Sequence, residues 1–224
     1  MCGRFAFYSP SEATAALFGA TSSVDFTPRY NIAPTQDIAA VRVGEKGNKE
    51  LVTLRWGLVP FWAKDPAIGN RMINARAETV AEKPSFRAAY KRRRCLVLAD
   101  GFYEWHKEES GPKTPYFICR ADDQALAFAG LWENWHDKET DADLQTATVI
   151  TMPATEFMQP LHHRMPVVLD PVTANSWLAG DNELLEFAAE FSPELKAWPV
   201  DRRVNSPKYE DAELIKATGE VLGD

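Results

Sequence analysis

Cys95-Leu96-Val97-Leu98-Ala99-Asp100-Gly101-Phe102-Tyr103-Glu104-Trp105-His106 is the stretch on which the reading of the fold turns. An apolar run at 95–98 is followed by a second β-like run at 102–106, and Gly101 between them suits a bend. In the second run Phe102 and Glu104 fall on one face and Tyr103 and Trp105 on the other, because strand side chains alternate. Runs of the same kind lie on either side, at 38–43, 51–56, 116–120, 126–131 and 146–152. Ala121-Asp122-Asp123-Gln124 separates two of them and predicts a hairpin turn.

Helix signals sit toward the ends of the chain. Ser9-Pro10-Ser11-Glu12 predicts a start with Ser9 as N-cap, Pro10 at the first helical position and Glu12 completing a capping box. That helix should stop near Gly19. Asp170 and Pro171 suit the start of a second helix over 172–178, and a third helical pattern covers 183–190. Strands do not alternate with helices, which excludes a doubly wound parallel sheet. The expected fold is α+β, an antiparallel, barrel-like β-sheet core flanked by short helices. No linker or repeat divides residues 1–224, so they read as a single domain, with 219–224 expected to fray.

Of the 224 residues 45% are hydrophobic, enough for a substantial core. No apolar run approaches the ~20 residues that cross a bilayer. Met1-Cys2-Gly3-Arg4-Phe5 lacks the layout of a signal peptide, so a cytoplasmic protein is expected. Cys2, Cys95 and Cys119 are odd in number and form no Cys-x-x-Cys pair, which argues for reduced thiols and against a disulfide framework or zinc site. Net charge is −7, but unevenly spread: residues 1–120 carry 18 Lys and Arg against 12 Asp and Glu, and residues 121–224 carry 7 against 20. A basic face would come from the first half. The run Lys91-Arg92-Arg93-Arg94 by itself reads as a solvated charge run, whereas Arg4, Arg29, Arg71 and Arg76 are candidates to converge on phosphates.

Four groups of residues could carry chemistry. Removal of Met1 would leave Cys2 with an α-amine and a thiol on adjacent carbons, with ordinary pKa values of about 8 and 8.5. The amine can add to an aldehyde to give a Schiff base, and the thiol can then close a five-membered thiazolidine. An internal cysteine cannot, since its nitrogen is an amide; Cys95 and Cys119, in β-like apolar runs, read as core thiols. Asn74 and Arg76, two apart in an extended segment, share a side and could orient a carbonyl or phosphate. Glu104 among aromatics would be desolvated, which raises a carboxyl pKa toward the range useful for acid–base work. His162 or His163 beside Arg164 could act as general acid or base. Adjacent histidines point apart and no other His/Cys cluster accompanies them, so no metal and no cofactor are expected. Trp56, Phe61, Trp62 and Trp105 lie near these segments; tryptophans are mostly core, but some beside basic residues could stack unpaired bases.

Taken in order, the motifs Met1-Cys2-Gly3-Arg4-Phe5, Arg29-Tyr30-Asn31-Ile32-Ala33-Pro34, Trp56-Gly57-Leu58-Val59-Pro60 with Trp62, Asn74-Ala75-Arg76-Ala77-Glu78-Thr79, Gly101-Phe102-Tyr103-Glu104-Trp105, Ala129-Gly130-Leu131-Trp132 and His162-His163-Arg164-Met165-Pro166 resemble the SRAP (SOS response-associated peptidase) family of abasic-site processing proteins. The likeness runs over roughly residues 2–210. One departure is Ala63, where some members carry a second tryptophan. The resemblance implies a stable covalent cross-link to single-stranded DNA, formed between Cys2 and the aldehyde of a ring-opened abasic site. It implies that Asn74 positions the Cys2 amine and the sugar, that Glu104 assists proton transfer, and that His162 acts on the Schiff-base step. Arg4, Asn31, Arg76 and Arg164 would hold phosphates, with Trp62 and Trp105 against bases. It further implies autoproteolytic removal of Met1 as one route to the processed form, and a monomer that joins the nucleoid when bound to DNA. Two other readings compete. A Met-Cys-Gly start also suits an N-terminal-nucleophile glutamine amidotransferase, although no arginine–glycine or asparagine–glycine motif of that class is present. A non-catalytic single-strand binder would use the same basic and aromatic residues without forming a bond.

Overall fold

The computed structural model describes every residue except Met1, Ser23, Phe187, Phe191 and Asp224. Expectations touching the removal of Met1, the helical pattern through Phe187 and fraying at Asp224 to that extent lie outside the described residues. In chain order the elements are β1 (Phe5–Phe7), α1 (Ser11–Leu17), β2 (Thr21–Ser22), β3 (Arg29–Ile32), β4 (Asp37–Val43), β5 (Lys49–Trp56), β6 (Asn74–Arg76), α2 (Arg87–Arg92), β7 (Arg94–Ala99), β8 (Gly101–His106), β9 (Thr114–Arg120), β10 (Leu126–Asp137), β11 (Ala142–Pro153), β12 (Arg164–Pro166), β13 (Val168–Leu169), α3 (Pro171–Ala179) and β14 (Leu195–Pro199). One sheet has the order β14-β9-β8-β1-β3, and a larger one runs β12-β11-β10-β7-β4-β5-β2. The fold is α+β, with the strands wrapped around a barrel-like core, as the alternation of the strands predicts.

The passage from 95 to 106 crosses between the sheets. β7 lies in the larger sheet between β10 and β4, and β8 lies in the smaller one between β9 and β1. Gly101 sits at the crossing, where a Cβ would stand 2.7 Å from the Ile118 carbonyl oxygen, so only glycine fits. β8 then presents its two faces to two apolar clusters. Phe102 packs into the main core with Phe5 and Phe128, while Tyr103 and Trp105 join Phe117 and Trp198.

Several local expectations are corrected. Residues 121–124 do not close a hairpin: β9 pairs with β8 and β14, and β10 with β7, β11 and β13, so the turn joins the two sheets. Helix α1 begins at Ser11 with no side-chain cap. Ser9 is unavailable because Asp100 takes its hydroxyl at 2.6 Å together with the Tyr8 and Ser9 amides. Among its described residues the 183–190 pattern yields a short 3₁₀ turn over Glu183–Leu185. Leu222 does not fray but pairs with Ala197 through two backbone hydrogen bonds. The second helix is as expected, with Asp170 and Thr173 forming a reciprocal capping box. The larger sheet is not purely antiparallel: β2 runs parallel to β5, and β5 and β6 both run parallel to β11.

Those last two pairings position the site. Arg55 and Trp56 pair with Thr146 and Ala147, and Asn74, Ala75 and Arg76 pair with Val149, Ile150 and Thr151. The chain therefore leaves the edge of β11 at Trp56 and returns to the same edge at Asn74. The intervening loop is cinched where Gly57, at φ +127°, crosses Gly69. A Cβ on either glycine would stand 2.5 Å from the other's carbonyl oxygen. Leu58 also donates its amide to Met72 and so closes the base of the loop.

Candidate active site

Cys2, Asn74, Glu104 and His162 come from four distant segments and meet at one end of the core. Cys2 is fully buried. The Asn74 amide donates to the Cys2 carbonyl at 2.7 Å, which fixes the Cys2 peptide against β6. The other atom of that side chain, Asn74 Oδ1, is buried with no partner among the described residues. Burial together with the charge of Glu104 holds the Cys2 thiol far above its ordinary range, so at neutral pH it is a thiol and not a thiolate.

Glu104, in the middle of β8, is 3% exposed. Burial raises its pKa, with the charges of His163 and Lys113 offsetting part of the rise. His162 Nε2 stands 3.9 Å from Glu104 Oε2. Its Nδ1 receives the Arg164 backbone amide at 3.0 Å. The same Nδ1 lies 3.0 Å from the Arg164 carbonyl oxygen, and Nε2 is the ring nitrogen that faces Glu104. Burial lowers the His162 pKa, which keeps the imidazole neutral at pH 7. His163 stacks on His162 at 4.3 Å and is exposed. The site thus joins a protonated thiol, a carboxyl group whose pKa burial raises and a neutral imidazole. Among the described residues no three His, Cys, Asp or Glu side chains are grouped to hold a metal.

The residues expected to bind DNA divide into two sets. Trp62 is 49% exposed on the 57–73 loop, and Arg76 is exposed beside Asn74. Trp105 is half-buried and donates its indole N–H to Asn205 at 2.6 Å. The other three are engaged within the protein. Asn31 is fully buried and donates to the Ser206 and Tyr209 carbonyls, while Arg4 donates to Asn31 Oδ1 at 2.7 Å and to the Val204 carbonyl at 2.8 Å. Arg164 is 7% exposed, holding Glu78 through both ends of its guanidinium and donating to the Thr151 carbonyl at 2.6 Å. Arg29 pairs with Glu210, which also accepts from the Asn31 backbone amide, and Arg71 lies exposed on the loop. Sequence reasoning missed Glu78, although it lies in the same motif as Asn74 and Arg76; the signal was a carboxylate at the end of a basic motif.

The geometry defines a class of protein, one with its candidate nucleophile buried at the second residue and the acid–base groups brought to it on β8 and the loop before β12. The chain belongs to the SOS response associated peptidase (SRAP) family, whose model matches residues 1–207. It is 40% identical over 225 residues to a Bacillus subtilis protein named abasic site processing protein YoaM, covering 97% of this chain and 98% of that one. It is 32% identical to abasic site processing protein YedK of Escherichia coli, covering 96% and 99% of the two chains. A crystal structure of a Bacteroides thetaiotaomicron protein matches with a TM-score of 0.85 at 26% identity, over 97% of this chain and all of that one.

Proposed function

We propose that this protein processes abasic sites in single-stranded DNA, forming a covalent thiazolidine between Cys2 and the ring-opened sugar once Met1 has been removed. The observation that carries the reading is the convergence of Asn74, Glu104 and His162 on a Cys2 that is buried and protonated. A buried thiol is a poor first nucleophile, so the α-amine attacks first. It adds to the aldehyde carbon to give a carbinolamine, and Glu104 in its acid form donates a proton to the departing hydroxyl. Water leaves and the imine forms. The Cys2 sulfur then bonds to the imine carbon, and the thiol proton ends on the nitrogen, closing the ring. Asn74 Oδ1 is available to accept from the amine, with Asn74 Nδ2 already on the Cys2 carbonyl. The Glu104 carboxylate recovers its proton from the iminium nitrogen as the imine forms, and His162, neutral beside it, orders that carboxyl. The relatives named as abasic site processing proteins support the same substrate. In this reading the protein works as a monomer, in the cytoplasm and on the nucleoid, and Met1 leaves by its own peptidase action or another enzyme's.

The test uses processed protein and a single-stranded oligonucleotide with one abasic site. A species that survives boiling in detergent is expected, and Cys2→Ala should abolish it. Full, denaturation-resistant cross-linking by Cys2→Ala would refute the mechanism, and ammonia release from glutamine without DNA cross-linking would favour an amidotransferase.

A further inference from the structure

The basic run at 91–94 is not one surface. Arg94 is buried under α2 and α3, and Arg93 pairs with Glu133 at 2.6 Å. Lys91 and Arg92 are exposed, and Arg87 stands one helical turn before Lys91 on α2. No carboxylate among the described residues pairs with these three. They border a trough of about 730 Å³ whose other walls include Phe61, 59% exposed, and Trp132 on β10. The remaining carboxylate in the trough, Glu133, is the one Arg93 already neutralises.

The trough shares the 57–73 loop and β11 with the site. Phe61 precedes Trp62 on the loop that returns to Asn74. Trp132 pairs with Ala147 on β11, and Asn74 pairs with Val149 on the other side of that strand. The Trp132 and Asn74 backbones therefore stand two strands apart and two residues along, roughly 12 Å between Cα atoms. The trough also runs on past Trp132, where Arg42 stacks on the indole at 4.3 Å and lines the adjoining cavity.

Resting on the abasic-site reading, we propose that this trough is a second DNA-binding surface, holding the single strand that continues from the lesion. Its phosphates lie along Arg87, Lys91 and Arg92, and its bases lie against Phe61 and Trp132. Cations in a chain of net charge −7 are otherwise poorly placed for a polyanion, and here three of them face an aromatic floor. That pairing of basic rim and apolar π surface suits an unpaired nucleic-acid strand. It does not suit an acidic peptide, which would have no rings to stack.

The experiment compares a trinucleotide carrying the abasic site with a long single-stranded oligonucleotide carrying it centrally. Wild-type processed protein should bind and cross-link the long one better at low salt. Lys91→Ala combined with Arg92→Ala should lose most of that advantage. Its log affinity against log salt should flatten by roughly 1.4, about 0.7 for each cation removed from a single-strand contact. The trinucleotide rate should stay within about twofold of wild type, which also certifies that the variant folds. Unchanged affinity and salt slope on the long oligonucleotide would overturn the proposal. So would an effect confined to substrates whose flank is duplex. If wild type cross-links neither substrate, the abasic-site reading itself fails and the trough assignment falls with it.

Discussion

Glu104 owes its chemistry to where β8 puts it. One residue earlier or later on the strand would face the Tyr103 cluster instead of Cys2. Its pKa is raised by burial, so it keeps its proton to a higher pH than an exposed carboxyl would. The direction of the pH effect follows. Activity that needs Glu104 as an acid is present below its folded pKa and is lost as pH rises through it. Glu104→Gln keeps the shape and removes the proton, so cross-linking should slow by about 10²–10⁴-fold. The basic limb that Glu104 causes should vanish from the pH–rate profile of the processed protein. A variant that retains both the rate and the limb would take Glu104 out of proton transfer. The Cys2 thiol does not contribute a limb near neutrality, since burial keeps it protonated well above that range.

At the scale of elements, the 57–73 loop is the part most exposed to a single change. It carries Phe61 and Trp62 outward and delivers Asn74 back to β11, and its base is held by the Gly57–Gly69 crossing. Gly69→Ala would drive a methyl group to 2.5 Å from the Gly57 carbonyl oxygen and 2.9 Å from Val59, so one backbone must move. Overpacking of this kind costs about 1–3 kcal/mol, a fall of a few degrees in Tm for a chain of this size. Because the displaced strand end carries Asn74, cross-linking should fall by at least about tenfold, more than the stability loss explains, and a parallel loss in circular dichroism melts and kinetics would contradict that. The strands themselves were legible in the sequence because alternation is local. Their pairing was not. The 121–124 turn looks like a hairpin because its flanks are β-like, yet Asp123 adopts φ +59° in a turn that passes the chain between sheets. The polar half of β10, Trp132-Glu133-Asn134-Trp135-His136-Asp137, showed no alternation to extend the strand predicted at 126–131, and it is held by its register on β11. Among the site residues, Cys2, Asn74, Glu104 and His162 were visible through the chemistry each type can do. The inward turn of Arg4, Asn31 and Arg164 was not, because their partners Val204, Ser206, Tyr209 and Glu78 lie up to 200 residues away.

At the scale of the whole molecule, inward-turned arginines join parts that no sheet connects. Arg4 ties the first strand to the segment near Val204, and Arg94 ties both later helices to β7. Arg94 is 8% exposed and lies between the rings of Tyr90 and Trp177, at 4.5 and 4.2 Å. It donates to the carbonyls of Tyr90 near the end of α2, Trp177 near the end of α3, and Asp181 just beyond, and to the Asn182 side chain. Burial lowers its pKa, but the helix carbonyls around it carry the negative end of their dipoles and keep the cation favoured. Arg94→Ala would strip donors from several buried carbonyls and open a gap between two aromatic rings. The expected cost is about 3–5 kcal/mol. In a thermal melt that is a fall of roughly 6–20 °C, at about 2–4 °C per kcal/mol. Arg94→Lys should recover little of it, because one ammonium cannot span acceptors on both helices or stack between the rings. Lys91→Ala and Arg92→Ala, three and two residues away on the exposed side of α2, should leave the melt within about 0.5 kcal/mol of wild type. Neighbouring cations would then separate cleanly into one that holds the helices to the sheet and two that serve the trough. Equal destabilisation by all three would show instead that α2 is held by its surface charges and that the burial of Arg94 contributes little.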